Sequence, residues 1–549
     1  MSTTKTKPPN FLWISFEDTS PRFGCYGDPV AQTPNVDRLA AEGCLWNNAF
    51  ATAGVCAPSR CSIITGCYAI SVGGQHMRTT HRNRATPEMP TPYGACLPPH
   101  IKPFTQYLRA AGYFCTNNQK TDYQFDAPRT AWDELGEHAH WRNRPDPAQP
   151  FFAVFNPTTT HESGQWPEKG GEPKTDPAKV TLPPYLPDTL EGRKALARQY
   201  DHIAQNDALV GDLLQQLEAD GLAENTLVMI WSDHGEGLPR AKRWPYDSGI
   251  RVPLVVKWPG GALKPGDTTN DLVSLIDLAP TLLSLAGVPQ PRHLHGKPFL
   301  GPKVEKRTYI HAHRDRFDEA YDRIRTVRDG QFKYLRNYYT DLPSLLWIPY
   351  RDRHPIMREI WKRRAEGTLE PSQAWFARET RPPEELYDTQ ADPWEMHNLA
   401  EEPVHAQTLL RLRTECDRWL QEVGDLGDLS EADMKRLWYP DGTQPQTSAP
   451  IAIKLGDIAP EVLSEGEQVL KQDTENSVAS PALVGLHCAT QGASIAYTFD
   501  QGDADDPALH WKLYSAPLKL PEGTHTLRSR AIRIGYEESA ERSWTLQIG

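Results

Sequence analysis

Residues 11–16 read FLWISF and run directly into Glu17 and Asp18; residues 226–231 read TLVMIW and run into Ser232, Asp233, His234 and Gly235. Neither run alternates polar with apolar residues, so each predicts a strand buried on both faces. FFAVF at 151–155 and VPLVVK at 252–257 read the same way. Helical spacing lies between the strands. Val36, Leu39 and Ala40 precede Gly43; 105–111 ends at Gly112; 191–220 aligns Ile203, Val210, Leu213, Leu214 and Leu217 on one face; 272–286 is a fourth helical stretch. Strands alternating with helices predict an α/β fold built on a doubly wound, mostly parallel sheet.

The texture changes along the chain. Residues 162–190 are rich in Pro, Gly and Lys and predict a long surface loop; 350–380 predict an exposed helical hairpin, and 409–423 an amphipathic helix. The alternation in IAYTF, HTLRSRAIRI and SWTLQI predicts a small antiparallel β module. The expected organisation is an α/β domain at 9–307, a smaller α+β subdomain at 308–439, a linker at 440–479 and the β module at 480–549.

Composition narrows the function classes. Among 549 residues, Asp and Glu number 71 against 59 Lys and Arg, a formal charge of −12. That balance argues against a nucleic-acid binder. No apolar run approaches the roughly 20 residues of a membrane span, so no membrane partner is expected. The apolar run at 11–16 is shorter than the roughly 7–15 residues of a signal core and is followed by two acids, which predicts a cytoplasmic protein; a trimmed signal is the alternative. Nine cysteines, an odd number with no C-x-x-C pair, predict reduced and mostly buried thiols.

Open α/β sheets bind ligands beyond the carboxyl ends of their strands. Glu17-Asp18 and Asp233-His234 stand there, suited to one hard divalent cation. An acid at a strand end is often only a turn former, but two such groups on neighbouring buried strands make a metal site the better reading. The most specific element is Cys56-Ala57-Pro58-Ser59-Arg60 with Thr65-Gly66. It resembles C-x-P-S-R-x-x-x-x-T-G, the signature of the type I sulfatases of the alkaline-phosphatase-like superfamily, at all its specified positions. TPNVDRLAAEG, SDHGEG, GIRVPLVVKWPG and ELYDTQADPWEMHNLA resemble sulfatase segments in the same order, across about residues 9–425.

The resemblance implies that Cys56 is oxidised to formylglycine by a formylglycine-generating enzyme. The hydrated aldehyde has two hydroxyls: one attacks sulfur, and the other lets sulfate be expelled, which a serine could not do. A helix starting at Cys56 would favour the anion at its N-terminus. The implied metal ligands are Glu17, Asp18, Asp233 and His234 with the residue derived from Cys56, and the implied metal is Ca2+. Glu17 stands where the family usually has Asp, and His234 where it often has Asn. His is the softer donor, which keeps Mn2+ open. Arg60 would hold the nucleophile, and Lys120 and Lys242 would neutralise sulfate, with Arg243 the competing choice beside Lys242. His161 would protonate the leaving oxygen. Asp122 replaces a histidine of the family pattern. His76, Arg78, Arg314 and Arg316 lie in segments where the family places substrate recognition; a structural ion-pair network is the alternative.

The implied activity is hydrolysis of an aryl or carbohydrate sulfate ester, or of a sulfamate. Alternatives are a phosphonate monoester or phosphodiester hydrolase with the same nucleophile, and a non-catalytic binding protein on this scaffold. The expected partners are a small sulfated substrate and the maturation enzyme; a homo-oligomer is left open. HMRT and HRDRFDEAYDRIRTVRDGQFKYLRN resemble bacterial relatives of heparan N-sulfatase, and the C-terminal module resembles that of some chitobiases and hexosaminidases. For that module packing or oligomerisation is the simpler role and carbohydrate binding the sharper one.

Overall fold

Every residue of the strand that begins at Asn10 is buried, as cover on both faces requires. The computed structural model describes residues 7–261, 263–455, 468–480, 482–503 and 509–549. Its central sheet comprises β1 (Asn10–Phe16), β2 (Cys44–Trp46), β3 (Phe114–Gln119), β4 (Glu134–Leu135), β5 (Phe151–Asn156), β6 (Thr226–Ser232), β7 (Leu254–Lys257) and β8 (Asp267–Thr269). The spatial order is β8-β2-β7-β6-β1-β5-β3-β4, so the chain crosses over repeatedly, as a doubly wound sheet does. β1 and β6 are parallel, with Asn10 opposite Thr226 and Phe16 opposite Ser232. That register sets Glu17-Asp18 beside Asp233-His234. β7 is the reversed strand, antiparallel to both β6 and β2. The run VPLVVK is not one strand: Pro253, which lacks an amide hydrogen, separates β7 from Arg251–Val252, which joins a different small sheet.

The helices follow the sequence expectation closely. Among them are α1 (Pro34–Glu42), α2 (Cys56–Thr65), α3 (Leu190–Ala219), α4 (Leu278–Leu285), α5 (Pro355–Glu366) and α6 (Ala406–Val423), and the 105–111 expectation is met by a helix at Phe104–Ala110. α1 starts on Pro34, buries Val36, Leu39 and Ala40, and stops before Gly43. The 272–286 stretch becomes helical late, because Val273–Ser274 is spent in a sheet and a Ser274/Asp277 capping box then opens the turn.

Two expectations are corrected. Residues 162–190 are a surface loop only in part: 167–179 are exposed or half-buried, but Val180, Leu182, Tyr185 and Leu186 lie in a buried cluster. Residues 350–380 are not an exposed hairpin, since Ile356, Met357, Ile360, Trp375 and Phe376 complete the same cluster. Each such side chain contributes on the order of 2 kcal/mol through burial, which outweighs the solvation of the Lys and Glu between them. Pro and Gly content reports backbone irregularity, not exposure.

A second, antiparallel sheet contains β9 (Ile310–Arg314), β10 (Ile324–Arg328), β11 (Phe332–Asn337) and β12 (Glu384–Asp388) in sequence order. α6 packs Leu409, Leu412 and Cys416 against its Val327, Tyr334 and Leu386. The C-terminal part holds a three-stranded and a five-stranded sheet around Leu527, Trp544 and Leu546. Its strands pair antiparallel except Glu475–Val478, which runs parallel to Arg542–Ile548. Ile451–Lys454 and Glu475–Val478 of these sheets come from the stretch read as a linker; residues 456–467 of that stretch lie outside the described residues. Two compact units result, one of residues 1–89, 118–124 and 153–428, the other of 90–117, 125–152 and 429–549. Among the described residues no helix is long and apolar enough to cross a membrane.

Candidate active site

The β1–β6 register does the first assembly step. Asp18 N donates to Asp233 Oδ1 at 3.2 Å, and Thr19 N donates to Ser232 Oγ at 3.1 Å. Asp18 adopts φ +50°, the left-handed region that costs a non-glycine residue about 1–3 kcal/mol. Its surroundings hold it there. Glu162 N donates to Asp18 Oδ2 at 2.6 Å, and His234 Nε2 lies 3.0 Å from Oδ1. Gly235 must be glycine, because a Cβ there would stand 2.2 Å from the Ser248 carbonyl oxygen.

α2 begins at Cys56 behind Val55, which provides no capping side chain, so the helix start faces the cluster uncapped. Cys56 Sγ lies 3.3 Å from His234 Nε2, 3.7 Å from Glu17 Oε1 and 3.9 Å from Asp18 Oδ1. One turn on, Arg60 Nε donates to Asp233 Oδ2 at 2.9 Å and its Nη1 donates to Asn156 Oδ1 at 3.2 Å. Arg60 Nη2 is buried with no hydrogen-bond partner. Ser15 Oγ donates to the same Asn156 oxygen at 2.7 Å.

Two lysines complete the ring. Lys120 Nζ pairs with Glu17 Oε1 and lies 3.4 Å from Asp122 Oδ2. Lys242 Nζ lies 2.7 Å from Asp18 Oδ2, 3.2 Å from Glu162 Oε1 and 3.5 Å from His161 Nε2. Arg243 holds Glu162 with two hydrogen bonds of 3.0 and 2.8 Å and also pairs with Asp318.

Burial disfavours every charge here, yet partners win at most groups. Desolvation opposes ionisation of Asp18, but Lys242, His234 and His161 hold its carboxyl well below the usual range. For Asp233 the opposing burial is outweighed by Arg60, His234 and Lys120, leaving it at about 2. Burial pulls Lys242 down, but Asp18, Cys56 and Glu162 keep it well above the ordinary lysine value. His161 is the exception: burial and then the Lys242 charge push it below the ordinary histidine value.

The donor set fits a divalent ion. Single donor atoms of Asp18, Cys56, Asp233 and His234 all lie within 4.8 Å of one another, and all four residues are buried. Glu17 is fully buried and its Oε2 has no hydrogen-bond partner. Leaving such an oxygen unmet costs about 1–3 kcal/mol, more for a charged group. His234 Nδ1 is 2.9 Å from the Gly235 carbonyl oxygen, which makes Nδ1 the donor and leaves Nε2, 3.0 Å from Asp18 Oδ1, as the ring nitrogen that faces the cluster. Four carboxylates (Glu17, Asp18, Glu162, Asp233) lie among four cations (Arg60, Lys120, Lys242, Arg243), with Asp122 beside Lys120 and Asp318 beside Arg243.

Of the residues singled out from sequence, Glu17, Asp18, Cys56, Arg60, Lys120, His161, Asp233, His234 and Lys242 are brought together. The four recognition candidates divide. Arg314 is wholly buried, paired with Asp322 at 2.8 Å and donating to the Arg243 carbonyl. Arg316 is buried and donates to the Met77 carbonyl, while its own amide donates to His76 Nδ1 at 3.3 Å. Only Arg78 keeps a partly open side chain, 31% exposed. Sequence reasoning missed Asn156, Glu162 and Asp318. Glu162 directly follows His161 and Asn156 ends a buried strand, so both had a positional signal; Asp318 had none.

A cysteine at a helix start thus faces a carboxylate-rich cluster that could hold a metal ion, at the carboxyl ends of parallel strands. The Sulfatase family model matches residues 9–134 and 116–288, and the model for the C-terminal part of N-sulphoglucosamine sulphohydrolase matches 235–350. An ulvan-active sulfatase of Formosa agariphila is 40% identical over 97% of this chain and 90% of its own length. Human N-sulphoglucosamine sulphohydrolase is 27% identical over 77% of this chain and 91% of its own. A solved 2-O GAG sulfatase shares the fold with a TM-score of 0.57 at 18% identity, covering 77% of this chain and 94% of that one. The chain belongs to the sulfatase family, and its activity is hydrolysis of a sulfate ester or a sulfamate. A divalent metal and formylglycine are features of that family, and the cluster described above suits both.

Proposed function

We propose that the chain is a carbohydrate sulfatase acting on sulfate esters of an ulvan-like polysaccharide or its fragments, with a nucleophile matured from Cys56 by a formylglycine-generating enzyme and with Ca2+ held by Glu17, Asp18, Asp233 and His234. The observation that carries this reading is the position of Cys56 Sγ, within 3.3–3.9 Å of three of these ligands. The name of the 40%-identical relative supports the substrate class. Hard carboxylate donors support Ca2+.

Matured Cys56 supplies a hydroxyl nucleophile, and the metal supplies the positive field that lowers that hydroxyl's pKa. Arg60, fixed through Nε and Nη1, presents Nη2 to the nucleophile oxygen. Lys120 and Lys242 bind the sulfate oxygens and neutralise charge as the S–O bond breaks. His161 donates a proton to the leaving oxygen. Burial and the Lys242 charge push His161 below the ordinary histidine value, and a bound sulfate's negative charge acts the other way, toward the protonated form needed for the transfer.

Two expected results check this. His161→Ala should lower kcat on a sugar sulfate about 10²–10⁴-fold, the range of general acid catalysis, and far less on 4-nitrophenyl sulfate, whose leaving group needs no proton. Equal losses on both would remove His161 from that role. Ranking kcat/KM of the matured enzyme on a sulfated ulvan oligosaccharide, N-sulfoglucosamine and an aryl phosphodiester should put the oligosaccharide first; a preferred phosphodiester would refute the reading.

A further inference from the structure

Arg78 differs from the other arginines near the site. Its Nε donates to Asp318 Oδ1 at 2.7 Å, and its guanidinium lies 4.9 Å from the centre of the Tyr350 ring. Asp318 also carries Arg243, the residue that clamps Glu162, so Arg78 is tied rigidly to the catalytic cluster. Tyr350 is fixed in turn, edge-on to Trp166 at 4.8 Å and 6.2 Å from the His161 ring. Arg78 itself stands at φ +57°. A non-glycine residue keeps that backbone only where its surroundings impose it, and such residues concentrate at functional sites.

The guanidinium is thus held on one edge and one face, one ring away from the proton donor. Among the described residues its Nη1 and Nη2 have no protein partner. Arg314 and Arg316, by contrast, spend terminal nitrogens on the protein interior. A simple surface ion pair would give Arg78 at most about 1 kcal/mol and would explain neither the stacking nor the open fork. The fork matches a planar carboxylate in a bidentate way and matches a sugar hydroxyl poorly.

Resting on the sulfatase reading of the site, we infer that Arg78, seated on Tyr350, is a specificity-determining residue that takes the carboxylate of an acidic sugar adjoining the sulfated one. The test compares kcat/KM of the matured enzyme on one sulfated, uronic-acid-containing oligosaccharide and on the same compound after reduction of its carboxyl groups. The native protein should favour the acidic form at least about tenfold, as a charged hydrogen-bonded pair implies. Arg78→Met should bring that ratio to about one, chiefly by raising KM for the acidic form. Arg78→Lys, which keeps the charge but not the fork, should retain part of the preference and serves if the methionine variant does not fold. Equal kcat/KM of the native protein on both forms overturns the inference and leaves the sulfatase reading standing. An equal loss on both forms in Arg78→Met also overturns it, since a purely structural role would act that way. Turnover of neither form by the native protein overturns the proposed carbohydrate substrate class and the inference with it.

Discussion

Cys56→Ala is expected to lower kcat/KM by at least about 10⁴-fold while the protein stays folded, because removal of a nucleophile from an acting unit costs on that scale. The structural reasons for both halves are local. Sγ lies within 3.3–3.9 Å of Glu17, Asp18 and His234, and alanine puts no nucleophilic atom there. The side chain is small and packs with Ala53, Val55, Met77 and Phe317; losing one atom from that group should cost only about 1 kcal/mol. α2 keeps its other anchors, since all ten of its residues are buried. A thermal melt within a few degrees of the native protein, together with lost turnover, is the expected pair of results. Retained turnover would refute the nucleophile.

Prolonged chelation is expected to remove activity by at least about 10²-fold and to lower Tm, with Ca2+ restoring both. Glu17 and Asp18, proposed to hold the ion, also pair with Lys120 and Lys242, proposed to bind sulfate. The loss of the ion's positive field should show chiefly as a fall in kcat. The Tm effect follows from binding to the folded state alone: an ion at a hundred times its Kd adds about 2.7 kcal/mol. Unchanged Tm and unchanged kinetics after chelation would contradict the metal assignment.

The strands that carry the site were legible because both of their faces are covered, which leaves long apolar runs in the sequence. The acids were legible because they directly follow those runs, and α2 because its residues match a dense, ordered motif. Glu162 and Asp318 were not, because a single polar residue in an irregular segment becomes meaningful only when the fold brings it to Lys242 and Arg243. Arg314 and Arg316 sit in a run rich in charge, and sequence alone does not tell an arginine that spends its fork on interior carbonyls from one that presents it. Residues 90–117 and 125–152 show the same limit at larger scale. They precede or interrupt the catalytic strands, yet they group with 429–549 through pairings far apart in sequence, such as Arg533 Nη2 donating to the Leu97 carbonyl at 2.6 Å.

The most direct measurement is mass spectrometry of the peptide containing Cys56 from protein that is actively turning over a sulfate ester. The expected result is the aldehyde mass of formylglycine at position 56. Only the unmodified cysteine mass, in protein with full sulfatase activity, would contradict the assignment of Cys56 as the source of the nucleophile.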